Sequence, residues 1–414
     1  MERETAWVRE RREWFSNPRG DLFAGLVSAF AVIPEVIGFT IVAGVDPVLG
    51  LYTSVAFLLI LSLLGGRPAM VSAGAGSMAV LVASLIADHG LEYMFSAVLM
   101  AGVLQLILGF AGIAKVLRRI PQSVITGFVD GLAVIILLAQ VRSFTENMGD
   151  TSLSIGLMAG MVAVGLLVIY LFPKVSRAVP STLIAILVVT VLCMVLNIAF
   201  STSSDVVMIG DLSNLSAGWP DFTLPLELLT HADSLLIILP YGISLAFVGL
   251  LETSLTMQVV DIMTDSRGDD RRECCAQGVG NVVCASMGAM PGCAMIGQAV
   301  ANVKSGGWGR LSTFVSGTAL VLLLAFGSQV LGMIPLAALI AVMLYVCYTT
   351  FDWKSFRGMF TNRDRSSVCA SIATVVTLVT VILTENLAIG AATGLTAVFA
   401  CWALFGNDKT YRVR

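Results

Sequence analysis

Charge is scarce in this chain. Of its 414 residues, 12% are Asp, Glu, Lys or Arg, against about 25% in a soluble domain, which excludes an ordinary water-soluble enzyme. Basic residues are not in excess either: 24 Lys and Arg face 27 Asp and Glu, for a net charge of -3. Nucleic-acid binders carry a basic patch or stripe, so no nucleic-acid partner is expected. Histidine occurs only as His89 and His231, both outside the apolar runs. With no HExxH pattern and no Ser/His constellation in the apolar segments, the sequence reads as no enzyme. Eight cysteines lie in or beside apolar stretches without paired metal-ligand spacing, and read as small packing residues. No cofactor is expected. The first 21 residues are charged, with Trp7, Trp14 and Phe15; they lack the apolar core of a signal peptide and read as an arm lying on the cytoplasmic membrane surface.

What fills the chain instead is apolar sequence, 57% of residues. Fourteen spans of about 20 residues would take roughly 280 residues, close to the apolar content available. Runs and breakers place spans near 22–43, 47–64, 75–87, 94–113, 123–141, 152–172, 180–199, 235–260, 274–289, 293–303, 311–330, 335–350, 367–384 and 388–405. Lys and Arg concentrate in cytoplasmic loops. With both termini inside, 23 of the 24 fall on the cytoplasmic side and only Arg142 outside, while the 200–234 external loop holds none.

The runs near 75–87 and 293–303 are too short to cross as helices, and each follows a Gly/Ala/Pro stretch, Ser72 to Ser77 and Met290 to Ala294. Each is third in a block of seven. Seven being odd, the second block enters from the opposite face, an inverted-topology repeat whose site lies between discontinuous helices. A helix starting in mid-membrane exposes unpaired amides and a partial positive charge. Gly74, Gly76, Gly292 and Gly297 would let an anion approach them, or else only permit close helix packing. Backbone amides at Ala75, Gly76, Ser77, Cys293, Ala294 and Met295 are the expected cradle. Acidic residues inside spans are functional candidates: Glu35, Asp130 and Glu252. Asp130 reads as structural. Glu252, one turn before Thr256, could exchange a proton or, with Thr256, hold a sodium ion; the alternative is a structurally satisfied carboxyl.

The run Asn17 to Gly25 (NPRGDLFAG), Ile33-Pro34-Glu35, Ala43 to Pro47, Gly50-Leu51-Tyr52, Arg272-Glu273 with Ala276 to Asn281, and Asn302 to Gly307 together resemble the SulP family of sulfate-permease-type anion transporters. The resemblance implies an all-α membrane fold of seven plus seven inverted spans, as in uracil permeases. It implies a core domain (22–122, spans 1–4; 235–330, spans 8–11) and a gate domain (123–199, spans 5–7; 331–405, spans 12–14). It puts Glu35 where the family often has glutamine, Phe39 at an aromatic lining position, and Glu252 at the acidic position tied to cation or proton coupling. Gln298 stands where many relatives have arginine. The tail 406–414 resembles the start of a STAS domain, so a truncated chain is expected.

The function expected is secondary active transport of a small inorganic anion, of the sulfate or bicarbonate class, coupled to protons or sodium. It would run by rocking, elevator-type alternating access, in a homodimer in the bacterial inner membrane. Alternatives are a passive anion channel, an uncoupled exchanger, or a dicarboxylate or nucleobase permease.

Overall fold

The computed structural model describes residues 6–149, 151–175, 179–200, 207–212, 220, 222–361 and 365–405. The 406–414 tail and much of the 200–234 loop lie outside the described residues. A helix falls on each of the fourteen apolar runs. In chain order they are α1 (Pro18–Ala43), α2 (Pro47–Leu64), α3 (Gly76–His89), α4 (Leu91–Ala111), α5 (Gln122–Asn147), α6 (Ser152–Leu171) and α7 (Ser181–Phe200). The second half supplies α8 (Ala232–Thr264), α9 (Asp270–Ser286), α10 (Ile296–Lys304), α11 (Arg310–Phe326), α12 (Leu336–Thr350), α13 (Arg365–Thr384) and α14 (Leu387–Phe405). Among the described residues, α1, α2, α4, α5, α6 and α8 are each long and apolar enough to cross a bilayer alone. A seventh span results if α12 is joined to the short helix that begins at Trp353, from which it is bent by 46°.

Local chemistry sets the ends. Pro18 opens α1, where its missing N–H is no loss. Gly44 closes it in the left-handed conformation (φ 73°), and the Gly44 and Val45 amides donate back to the Ile41 and Thr40 carbonyls at 3.1 and 3.0 Å. Two residues later the Asp46 carboxylate accepts from the Val48 amide at 2.9 Å and starts α2.

The two Gly/Ala-rich stretches form short strands, β1 (Ser72–Gly74) and β2 (Gly292–Ala294), paired antiparallel with Ala73 opposite Cys293. Buried side chains from two helices bond this pair. Thr53 of α2 donates to the Met290 carbonyl at 2.7 Å. Asn281 of α9 accepts from the Gly292 amide at 3.0 Å, and its own amide donates to the Gly292 carbonyl at 3.2 Å and to Gln105 Oε1 of α4 at 2.8 Å. Gln277 donates to Ser72 Oγ at 3.0 Å.

Around the strands the helices pack in two groups. In one, α1, α2 and α4 lie against α8, α9 and α11, with the half-helices α3 and α10 held on α1 and α8. In the other, α5 lies against α12, α13 and α14, and α6 against α7 and α12. The arm helix Ala6–Phe15 docks on the first group: Glu13 accepts from Arg310 Nε at 2.8 Å and Trp14 meets Phe314 edge-on at 5.7 Å. Asp21 joins it, accepting from the Trp308 and Gly309 amides at 2.7 and 2.9 Å.

Where α4 crosses α9 the contact is backbone on backbone. A Cβ at Gly102 of α4 would lie 2.8 Å from the Gly278 carbonyl oxygen, and one at Gly278 of α9 would lie 2.7 Å from that of Gly102. Neither backbone can move aside as a side chain would. Gly102→Val is therefore expected to cost at least the roughly 1–3 kcal/mol of ordinary overpacking, read as a lowered midpoint in thermal unfolding of detergent-solubilised protein. Gly156→Ala, which meets nothing within 4 Å, should leave the midpoint unchanged.

Candidate functional site

A cavity of about 600 Å³ lies between the two helix groups. Of the residues singled out from the sequence, Glu35, Phe39, Ala75, Gly76, Glu252, Met295 and Gln298 line it. The far wall comes from the second group, with Phe128, Leu132 and Ile136 of α5 and Tyr345 and Thr349 of α12; Lys304 stands at the rim with Thr349 and Thr350.

Both half-helices point their N-terminal ends at this space. Ala75 and Met295, the residues before them, are extended, and no side chain caps either helix. The first intrahelical bonds come from the Ala79 and Ala299 amides, to the Ala75 and Met295 carbonyls at 3.0 Å each. The amides of residues 76–78 and 296–298 thus precede any intrahelical donor, and such uncapped ends concentrate partial positive charge.

Of the expected cradle, the amides of the second half are engaged elsewhere. The Met295 amide donates to the Val71 carbonyl at 3.0 Å, Cys293 pairs with Ala73 in the ladder, and the Ala294 amide lies 3.5 Å from Thr253 Oγ1. The donors free for an anion lie further along, at the start of each helix. The four glycines divide in the same way. Gly76 and Gly297 line the cavity, and a Cβ at Gly297 would meet nothing within 4 Å. Gly74 and Gly292 face each other in the ladder, and a Cβ at Gly292 would sit 2.7 Å from the Ala73 carbonyl and 2.8 Å from Phe57. Gly292 is required for packing.

Glu252, on α8, reaches the junction of the two half-helices. Its Oε2 accepts from the Ser77 hydroxyl and, at 3.1 Å, from the Cys293 thiol. Ser77 and Cys293 are buried and act on the carboxylate rather than lining the cavity. Thr256 does not join them: its hydroxyl donates to the Glu252 carbonyl at 2.8 Å, along its own helix. Glu35 of α1 and Gln298 of α10 line the same cavity. Asp130 is elsewhere. Its Oδ1 accepts from the Asp352 amide at 2.7 Å, tying α5 to the break after α12.

Sequence reasoning passed over Thr53, Gln277 and Asn281, which hold the strands, and Ile136, which lines the cavity beside the expected Gly297. A polar side chain inside an apolar run, hydroxyl or amide, is a readable signal for the first three; Ile136 carries none.

The protein-family model described as "Sulfate permease family" matches residues 19–374. The chain belongs to the sulfate permease family. It is a membrane transporter by family, not an enzyme. The chain is 46% identical to the putative sulfate transporter YbaR of Bacillus subtilis, over 94% of this chain and 78% of that protein. It is 27% identical to the bicarbonate transporter BicA of Picosynechococcus, over 82% of this chain and 63% of that one. Among solved structures, the transmembrane domain of a cyanobacterium bicarbonate transporter BicA superposes with a TM-score of 0.77 at 25% identity, covering 91% of this chain and 98% of that one. SLC26A9 gives 0.79 at 16% identity, over 96% and 67%, a likeness of fold alone.

Two substitutions separate the cavity from its scaffold. Gly297→Val is expected to fold and to raise the half-saturating sulfate concentration about tenfold, a loss of about 1.4 kcal/mol, in calorimetric titration. Gly292→Val should instead lose folded protein, seen as aggregation in size-exclusion chromatography.

Proposed function

We propose that the chain is a proton-coupled symporter of a small oxyanion of the sulfate or bicarbonate class, with the anion held between the N-terminal ends of α3 and α10. One observation carries the reading: both uncapped helix ends and the Glu252 carboxylate open into the same cavity. An anion brought beside Glu35 and Glu252 meets two carboxyl groups, and like charges at close range disfavour ionisation of both. A proton arriving with the anion removes that repulsion, so each is bound better in the presence of the other, which is what coupling requires. Ser77 and Cys293 link the carboxylate to the half-helices, so its charge acts on the cradle through hydrogen bonds.

Sodium is the weaker reading, because the Thr256 hydroxyl turns to its own helix. The names of YbaR and BicA support both anions as candidates. Gln298 in place of an arginine leaves the helix ends as the chief source of positive charge at the cavity floor.

We further read α1–α4 with α8–α11 as the core and α5–α7 with α12–α14 as the gate, with all fourteen helices traversing the membrane as an inverted repeat. The two packing groups and the pairing of β1 with β2 support this division. Both termini are assigned to the cytoplasm of a bacterial inner membrane from the distribution of Lys and Arg. Sliding of the core against the gate would carry the cavity between faces.

Uptake of labelled sulfate and of bicarbonate into proteoliposomes with imposed proton or sodium gradients tests the proposal. An inward proton gradient should drive accumulation; uptake indifferent to both gradients refutes coupling, and no uptake of either anion refutes the substrate class. Glu252→Gln should abolish accumulation while folded protein remains in the membrane. Thr256→Val should leave accumulation intact, and its loss together with a sodium requirement would favour the sodium reading.

A further inference from the structure

A second cleft, of about 420 Å³, lies along the same seam at the other end of α1. The same three helices line both spaces at successive levels. On α1, Ala31, Glu35 and Phe39 face the first cavity, and Ile41 to Gly44 face the second. On α3, Gly76 faces the first, and Val80 and Ala83 the second. On α5, Leu132 and Ile136 face the first, and Ile135, Leu138, Ala139 and Arg142 the second, so the two spaces meet on this helix at the adjacent residues Ile135 and Ile136. The boundary therefore runs through Phe39, Gly76 and Ile136.

Those three residues are in contact range. A Cβ built on Gly76 would lie 2.7 Å from Phe39 Cε1 and 2.9 Å from Ile136 Cδ1. Phe39 is 4% exposed and Ile136 3%, so both are buried even though each borders an open space. Phe39 and Gly76 belong to one helix group and Ile136 to the other.

We propose that Ile136 is the gating residue of the transport route: with Phe39 it forms a single apolar layer, seated on the bare backbone of Gly76, that seals the substrate cavity from the second cleft. The second cleft is then the opposite half of the path. A purely apolar constriction excludes water and ions by dewetting, without needing a charge. Gly76 has to be glycine because the two side chains close onto its backbone. Sliding one group past the other draws Ile136 off Phe39 and opens the layer. The inference rests on the cavity being the substrate site, and its test uses no transported anion.

The test is chemical access to the cavity floor. Gly297→Cys places a thiol in the first cavity, where a side chain meets nothing within 4 Å. In proteoliposomes, a membrane-impermeant maleimide is added from either face, and labelling at position 297 is read by mass spectrometry. With Ile136 in place, labelling is expected to be fast from one face and slow from the other. Adding Ile136→Ala should raise the slow rate tenfold or more, with Ile136→Val intermediate and Ile136→Leu unchanged. The valine variant keeps the test open if the alanine variant does not fold. A slow-face rate that does not respond to shortening Ile136, or fast labelling from both faces with Ile136 present, would overturn the proposal. Absence of sulfate or bicarbonate uptake would refute the substrate reading and leave this result standing.

Discussion

Lipid offers no hydrogen bonds, so every amide and carbonyl inside the hydrocarbon must find a partner within the protein. The rest of this structure depends on how that demand is met where two helices start in mid-membrane. The extended segments before α3 and α10 bond each other, and the edges of that small ladder are closed by Thr53, Gln277 and Asn281. Because the strands satisfy one another, only the first amides of the two half-helices remain over, and these face the cavity. A backbone deficit is thus placed at one point of the cavity, and the proposed anion site is built on it, with no cationic side chain at its floor.

Most of the architecture was legible because a bilayer imposes a strong and simple pattern. Each apolar run became a helix, although the first begins at Pro18, earlier than the apolar run alone suggests, and the two Gly-rich stretches marked real interruptions. The site was legible only in outline. Glu35, Phe39, Gly76, Glu252 and Gln298 converge on one cavity, as the resemblance implied. The amides of Cys293 and Met295, expected to be free, are engaged in the ladder. Their partners are Ala73 and Val71, in the other half of the chain, and no local spacing encodes that pairing. Thr256 was misjudged for a related reason: spacing of one turn puts two side chains on the same helix face, but a buried threonine satisfies itself on the carbonyl four residues back. Ile136 could not be singled out at all, since an isoleucine in a span looks the same whether it faces lipid, a neighbouring helix or the seam of a transport route.

Electrostatics and packing divide the work around the half-helices. At their starts, backbone partial charges open into a cavity lined by two carboxyl groups. Elsewhere, bare backbones fit against their neighbours: Gly102 on Gly278, Gly292 on Phe57, Gly76 under Phe39 and Ile136. The four glycines that the sequence grouped together as one kind of signal thus differ: Gly74 and Gly292 close the ladder, Gly297 borders open space, and Gly76 lies under Phe39 and Ile136.

The ladder also dictates an order of assembly. Thr53 and the carbonyl it bonds are 237 positions apart, and β1 has no strand partner until β2 has been made. At about 5–20 residues per second, the first Gly-rich stretch waits on the order of 10–50 s after leaving the ribosome, with polar backbone that the hydrocarbon cannot accept. The first half of the chain therefore cannot complete its insertion alone. Until β2 has been made, the polar backbone ahead of α3 has no ladder partner in the first half, so the two halves complete the site only together.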